Sequence, residues 1–215
     1  MTIVRRGEVF LAALGEDAER LHPEILAQMR ARVPSDRAEG VFAVAGSRFG
    51  RLGLVAVPVV GPRMMLTRLG RDVPFGLRTR SGRTSSGRAT LDSAREFRFP
   101  GGTQFVVDRV TESVVPGLVR NLLGTRGRVE LIEECSVTAA GALRMRTRRI
   151  ALRLWGRRFA LRGFLGIAVD LEDGWDEIHQ RRTIEMRATN PLLGTILEYR
   201  GWYRYIDDHG TVASP

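Results

Sequence analysis

Along most of this chain, apolar residues return at every second position, in runs short enough to be strands and bounded by Gly- and Pro-containing turns. A period of two puts all the apolar side chains of a segment on one face, and few folds can use many such segments in succession. Val73, Phe75, Leu77 and Thr79 alternate with Pro74, Gly76, Arg78 and Arg80. Ala89, Leu91, Phe97 and Phe99 lie on one side of a segment that Pro100-Gly101-Gly102 closes. Thr103 to Val114 sets Gln104, Val106, Asp108 and Val110 against Phe105, Val107 and Arg109. From Arg128 to Thr138, Val129, Leu131, Glu133, Cys135 and Val137 share a face, and Ala140-Gly141 turns the chain back into Leu143 to Leu154. The apolar parity of that returning segment shifts between Met145 and Ile150, which predicts a bulge near Arg148 and Arg149.

Further strands are expected over Val41 to Phe49, Phe164 to Leu171, Glu177 to Ala188 and Thr195 to Ile206, with Glu172-Asp173-Gly174 as a turn. Ser81 to Gly87 reads as a loop, and Pro116 to Leu123 as a turn or two of helix. Residues 50 to 60 fit a strand or a short helix, with helix the better match. The period is clearly helical only at the front. There Val9, Phe10, Ala13 and Leu14 form a stripe ended by Gly15, and Pro23 to Arg32 carries Ile25, Leu26 and Met29 on one face. Seven to nine strands behind two helices, with no βαβ rhythm, predict an α+β, mainly antiparallel β fold. The expected form is a closed or nearly closed β-barrel with the N-terminal helices as lid or plug. The 215 residues read as a single domain, with a helical segment at about 6–33, a β-rich part at 40–206 and a tail at 207–215.

All 34 basic residues are Arg, an imbalance that codon usage in a GC-rich genome explains, and the formal charge is +10. Arg is spread along the chain as the polar partner of alternating segments, for example Arg144, Arg146 and Arg204, rather than gathered on one face. Nucleic-acid binding therefore ranks last among the functional readings. The single Cys135 allows no intramolecular disulfide, the N-terminus lacks the apolar core of a secretion signal, and the run Leu52 to Val60 is too short to cross a bilayer. A cytoplasmic protein without a membrane span is expected. No Gly-x-Ser-x-Gly elbow or phosphate loop is present, and His22, His179 and His209 have no partners at ligand spacing. No metal and no cofactor are expected; His22, in Leu-His-Pro, reads as a helix entry.

Glu133 is the carboxylate that the pattern points inward, where an apolar setting raises a pKa and makes an acid or base for neutral pH. The alternative is a slip of parity with Glu133 paired to an interior Arg. In the last strand, Leu197, Tyr199, Gly201, Tyr203 and Tyr205 alternate with Ile196, Glu198, Arg200, Trp202 and Arg204. If the first set faces inward, Tyr199 and Tyr203 can orient a ligand oxygen; if the second does, Trp202 is core. Gly201 marks a close approach of ligand or strand. Gln180, Arg182 and Met186 fall in phase, and together with Phe105, Leu131, Cys135 and Leu197 are the expected lining of a pocket for an apolar ligand with a few oxygens.

Leu14-Gly15, Leu21-His22-Pro23, Pro191, Gly194, Tyr199 and Gly201 carry a resemblance to the bacterial family catalogued as domain of unknown function 4166. The family's Trp-x-Arg-x-Phe strand is represented between Ser86 and Phe99 only by Arg88, Phe97 and Phe99. The resemblance implies a β-rich, cavity-forming domain, often found behind a saccharopine-dehydrogenase-like reductase and read here without one, and it brings no established activity.

Three functions remain. The first is a cofactor-independent cyclase or isomerase that holds one conformer of a hydrophobic, polyketide-type substrate and excludes water, with Glu133, Tyr199 or Tyr203 polarising a carbonyl. Its architecture is similar to that of the β-barrel cyclases of polyketide antibiotic pathways, a likeness of fold alone. The second is a lipid or small-molecule carrier or sensor. The third is an anion- or nucleic-acid-binding module. The expected partner is a hydrophobic small molecule, and a homodimer is compatible with all three.

Overall fold

The computed structural model describes residues 4–33, 35–50 and 57–206. Helices α1 (Glu8–Leu14) and α2 (Pro23–Arg30) lead the chain, joined by a 3₁₀ turn over Gly15–Arg20. Gly15 ends α1 with φ 58°, and Pro23 opens α2, a position that has no amide to satisfy. His22 caps α2 as the sequence suggests, its Nδ1 accepting the Glu24 amide at 3.3 Å.

Then follow β1 (Ser35–Gly46), the one-turn helix α3 (Val57–Val60), β2 (Leu69–Arg83), β3 (Ala89–Phe99), β4 (Gly102–Glu112) and β5 (Leu118–Leu123). The chain continues with β6 (Val129–Val137), β7 (Leu143–Leu154), β8 (Arg157–Ala160), β9 (Ala168–Asp176), β10 (Arg181–Asn190) and β11 (Gly194–Ile206). Neighbours pair antiparallel in the order β6-β5-β4-β3-β2-β1-β11-β10-β9-β7, and β7 returns to β6, so ten strands close a barrel. Closure removes the exposed edges that an open sheet of this size would carry. β8 lies outside the ring, paired to the second half of β7.

The alternation in the sequence becomes an inside and an outside. On β3, Ala89, Leu91, Ser93, Phe97 and Phe99 are buried and their neighbours are not. At one end, Val9, Ala13, Leu14, Ile25 and Met29 of the helices share an apolar cluster with Leu91, Val119, Val137 and Leu143 of the wall. In the rest of the interior, Phe42, Phe75, Phe97, Phe99, Tyr199 and Tyr203 form an aromatic cluster. Each fully buried side chain of this size stabilises the fold by about 1.5–3 kcal/mol. Gly201 sits where a Cβ would meet Val41 O and Phe42 Cδ1 at 2.3 Å, so the close approach is to strand β1.

The bulge lies where parity placed it: Ile132 pairs with Arg149 and Glu133 with Thr147, leaving Arg148 as the extra residue. Three expectations are corrected. Residues 118–123 form strand β5 rather than a helical turn, because the turn through Gly117, at φ 77°, brings the chain back antiparallel to β4 with Val119 opposite Glu112, while the other edge pairs with β6. Glu172, Asp173 and Gly174 lie inside β9 and not in a turn, since they pair with β7 or β10, and the reversal falls at 177–180. The segment expected as a strand from Phe164 begins with a 3₁₀ turn, Gly163–Leu165, and extends only from Ala168. The helix expected over residues 50 to 60 is one turn at Val57–Val60, and 51–56 fall outside the described residues.

Candidate functional site

Four consecutive strands each contribute a polar side chain to one interior group: Arg95 on β3, Asp108 on β4, Asn121 on β5 and Glu133 on β6. The register makes every step diagonal. Arg95 lies opposite Val106, two residues from Asp108; Asp108 opposite Leu123, two from Asn121; and Asn121 opposite Leu131, two from Glu133. Diagonal neighbours on one face are within reach of long side chains, so the four form a stripe across the wall. Arg95 Nη1 donates to Asp108 Oδ1 in an ion pair whose carboxylate is almost wholly buried. Asn121 Nδ2 donates to Glu133 Oε2 at 3.0 Å.

Burial dominates the electrostatics. It pushes Glu133 up to about 7, opposed by the Asn121 hydrogen bond, reinforced by the Asp108 charge and opposed again by Arg95. Asp108 is also raised, by burial first, with Arg95 pulling the other way. Burial works against the charge of Arg95 as well, yet Asp108 and the Tyr199 phenol outweigh it and leave the guanidinium firmly charged. Asp108 Oδ2 and Asn121 Oδ1 are buried without a hydrogen-bond partner among the described residues. Two unfilled acceptors, a carboxyl that titrates near neutrality and a fixed cation can receive a hydroxyl or enol, hold a developing oxyanion and move a proton.

Tyr199 joins this stripe from across the barrel. Its ring stacks on Phe42 at 5.3 Å and lies 5.9 Å from Phe97, and burial raises its phenol. Tyr203 faces inward too, so the parity of β11 is settled in favour of the tyrosines. Its hydroxyl is committed, donating to Asp173 at 2.9 and 3.1 Å. Arg182, with its side chain 2% exposed, grips the same carboxylate with Nε at 3.1 Å and Nη2 at 2.5 Å, and donates from Nη1 to Gln28 Oε1 at 3.3 Å. This second network ties α2 to the wall and leaves Arg182 few donors for a ligand.

Of the other expected pocket residues, Leu131, Cys135 and Met186 are buried inside and Leu197 is half-buried against the aromatic cluster. Burial, with Glu133 and Glu134 adding to it, pushes the Cys135 thiol up to about 12, which leaves it un-ionised at neutral pH. Two residues do not reach the interior. Phe105 is 40% exposed on the outer face beneath the Arg63 guanidinium, because β4 turns Val106, Asp108 and Val110 the other way. Gln180 precedes β10, in the reversal at φ 48°, with its amide donating to Glu177 O. Arg95, Asp108, Asn121 and Asp173 are interior polar residues that do not figure in the expected lining. The parity of Leu91, Phe97, Val106 and Val110 carries the signal for the first two. No group of metal-ligating side chains occurs among the described residues.

The wall is weakest beside Glu133. β7 bonds to β9 only over Leu143 to Arg146 and then diverges towards β8, with Thr147 Oγ1 accepting the Val169 amide at 3.1 Å across the gap. Thr147 is the cross-strand partner of Glu133. Two grooves, of about 900 and 590 Å³, meet at this seam and share Thr147, Ala168 and Thr189.

No helix among the described residues is long and apolar enough to cross a membrane. No curated protein and no solved structure matches the chain. A family model described as domain of unknown function (DUF4166) matches residues 21–203, which takes in every residue of the stripe, the seam and the Arg182 network. The chain belongs to the DUF4166 family.

Proposed function

We propose that this protein is a cofactor-independent enzyme, acting in the cytoplasm, that takes a hydrophobic, oxygen-bearing small molecule against the interior stripe and promotes its cyclisation or isomerisation by proton transfer. The observation that carries the reading is Glu133: a carboxyl held near 7 inside an apolar barrel, with Arg95 and two unfilled acceptors beside it. For a chain of alternating carbonyls, Glu133 as carboxylate removes a proton from a carbon between two carbonyls. Arg95, or the Tyr199 hydroxyl, holds the oxygen of the enolate. The enolate carbon then attacks a second carbonyl, and the new alkoxide takes the proton back from Glu133. No atom is left over and no redox partner is needed. Burial makes the electrostatic part of this scheme stronger than it would be in water.

In this reading the substrate enters at the seam by Thr147, the cross-strand partner of Glu133, from the grooves that meet there. The helices serve as the lid of the opposite face, held by their apolar cluster and by the bond from Arg182 to Gln28. The test is incubation with a linear poly-β-ketone thioester mimic, with ligand binding followed separately by native mass spectrometry. Turnover that falls by about a hundredfold or more in Glu133→Gln, and binding that is lost in Thr147→Trp, support the reading. Binding without turnover makes the protein a carrier, and absence of both removes the proposal.

A further inference from the structure

At the end of the barrel away from the helices, three connections present large apolar side chains to solvent. β7 and β10 both run towards this end, so the β7–β8 turn and the β10–β11 turn emerge together, with the 161–167 connection between them. Trp155, at the tip of the β7–β8 hairpin, is 89% exposed; Phe164 is 63% and Leu192 73% exposed. Phe159, Leu165 and Leu193 are exposed beside them. These side chains do not lie on unrelated loops. Asn190 Nδ2 donates to the carbonyls of Phe164 and Gly166 at 2.8 Å, while its Oδ1 accepts the amides of Leu192 and Leu193 at 3.0 and 3.1 Å. One buried amide therefore ties two of the three connections to each other beside the groove of about 590 Å³.

The segments that present these side chains carry charge of one sign only. Residues 148–169 contain six Arg and no Asp or Glu, and residues 190–197 contain no acidic residue either. Arg148, Arg153 and Arg158 are paired with Glu134 or Glu130 of β6, whereas Arg149, Arg157 and Arg162 have no carboxylate partner among the described residues. Apolar tips that project on turns, flanked by guanidinium groups free to reach outward, match the layered chemistry of an anionic bilayer surface. The aromatic and Leu side chains enter the acyl boundary while Arg stays with the headgroups.

We infer that this face docks the protein on membranes of anionic lipid, with Trp155, Phe164, Leu165, Leu192 and Leu193 inserted and Arg149, Arg157 and Arg162 on the headgroup phosphates. The inference stands independently of the proton-transfer reading, because none of these residues belongs to the interior stripe.

The test is co-sedimentation of the full chain with vesicles of phosphatidylcholine alone and of phosphatidylcholine mixed with phosphatidylglycerol. Binding to the mixed vesicles only, weakened by added salt and reduced about tenfold or more in Trp155→Ser/Leu192→Ser and in Arg149→Gln/Arg162→Gln, is the expected result. Both double variants change exposed side chains, so an unchanged melting temperature shows that the fold is retained. No sedimentation with either vesicle overturns the inference. So does a concentration-dependent dimer, seen in analytical ultracentrifugation, that the same variants dissociate, because the face would then cover a second copy of the chain.

Discussion

Asn121 donates its side-chain amide to Glu133 Oε2 across 3.0 Å inside the barrel, while its own Oδ1 is buried and unfilled. The bond favours the charged form of Glu133, yet burial prevails and holds the carboxyl near 7. A group set in this way costs stability whenever it ionises, and the cost has a definite pH dependence.

Glu133 titrates near 7 in the folded protein and at 4.5 when unperturbed. Between these values the unfolded chain has released a proton that the folded chain keeps, so stability falls as pH rises from 4.5 to 7 and is level above that. The total is about 3 kcal/mol, at ~1.4 kcal/mol for each pKa unit. Glu133→Gln removes the penalty. Urea denaturation is expected to find the variant more stable than the parent at pH 8 by that order, with the difference closing towards pH 4.5.

Asp108→Asn leaves Arg95 as a buried cation without its counter-charge. Such a loss costs about 3–5 kcal/mol, and a drop in the denaturation midpoint of matching size is expected. The same variant removes a neighbouring negative charge from Glu133, whose pKa moves down.

The two tyrosines separate structure from chemistry. Tyr203→Phe deletes the hydroxyl that donates to Asp173 and lowers stability by about 1–3 kcal/mol. Tyr199→Phe leaves the Asp173 network intact and, under the proposed mechanism, lowers turnover while the melting temperature changes less. Denaturation and turnover measured on both variants check the division.

Gly201→Ala forces a methyl group to within 2.3 Å of Val41 O and Phe42 Cδ1 on β1, a strand hydrogen-bonded to a neighbour on each side. A loss of about 3 kcal/mol or failure to fold is expected, seen as reduced soluble yield or a lowered melting temperature.

The legible part of this molecule was its alternation. β2, β3, β4, β6, β7 and β11 are long enough for parity to show, and parity points Glu133 inward; in β11 both parities carry aromatic residues, and only the burial of Tyr199 and Tyr203 in the structure decides between them. β5 was hidden by its six residues and by Pro116-Gly117 just before it. In β9, Glu172-Asp173-Gly174 has the composition of a turn, but Arg182 and Tyr203 neutralise Asp173 inside the barrel. Gly174 suits its place in the strand because a Cβ there would come to 3.0 Å from Thr183 Oγ1. Phe105 and Gln180 were placed in the pocket although one lies on the outer parity and the other before the strand begins. The stripe from Arg95 to Glu133 was the least legible, since diagonal neighbours depend on register between strands, which no single segment reveals.

The central claim is that Glu133 is a buried carboxyl set for proton transfer near neutral pH. It is tested most directly by following the side-chain carboxyl ¹³C signal of Glu133 against pH, assigned by its absence in Glu133→Gln. The account predicts a midpoint near 7, with a downward shift in Asp108→Asn; a midpoint at the unperturbed 4.5 would contradict it.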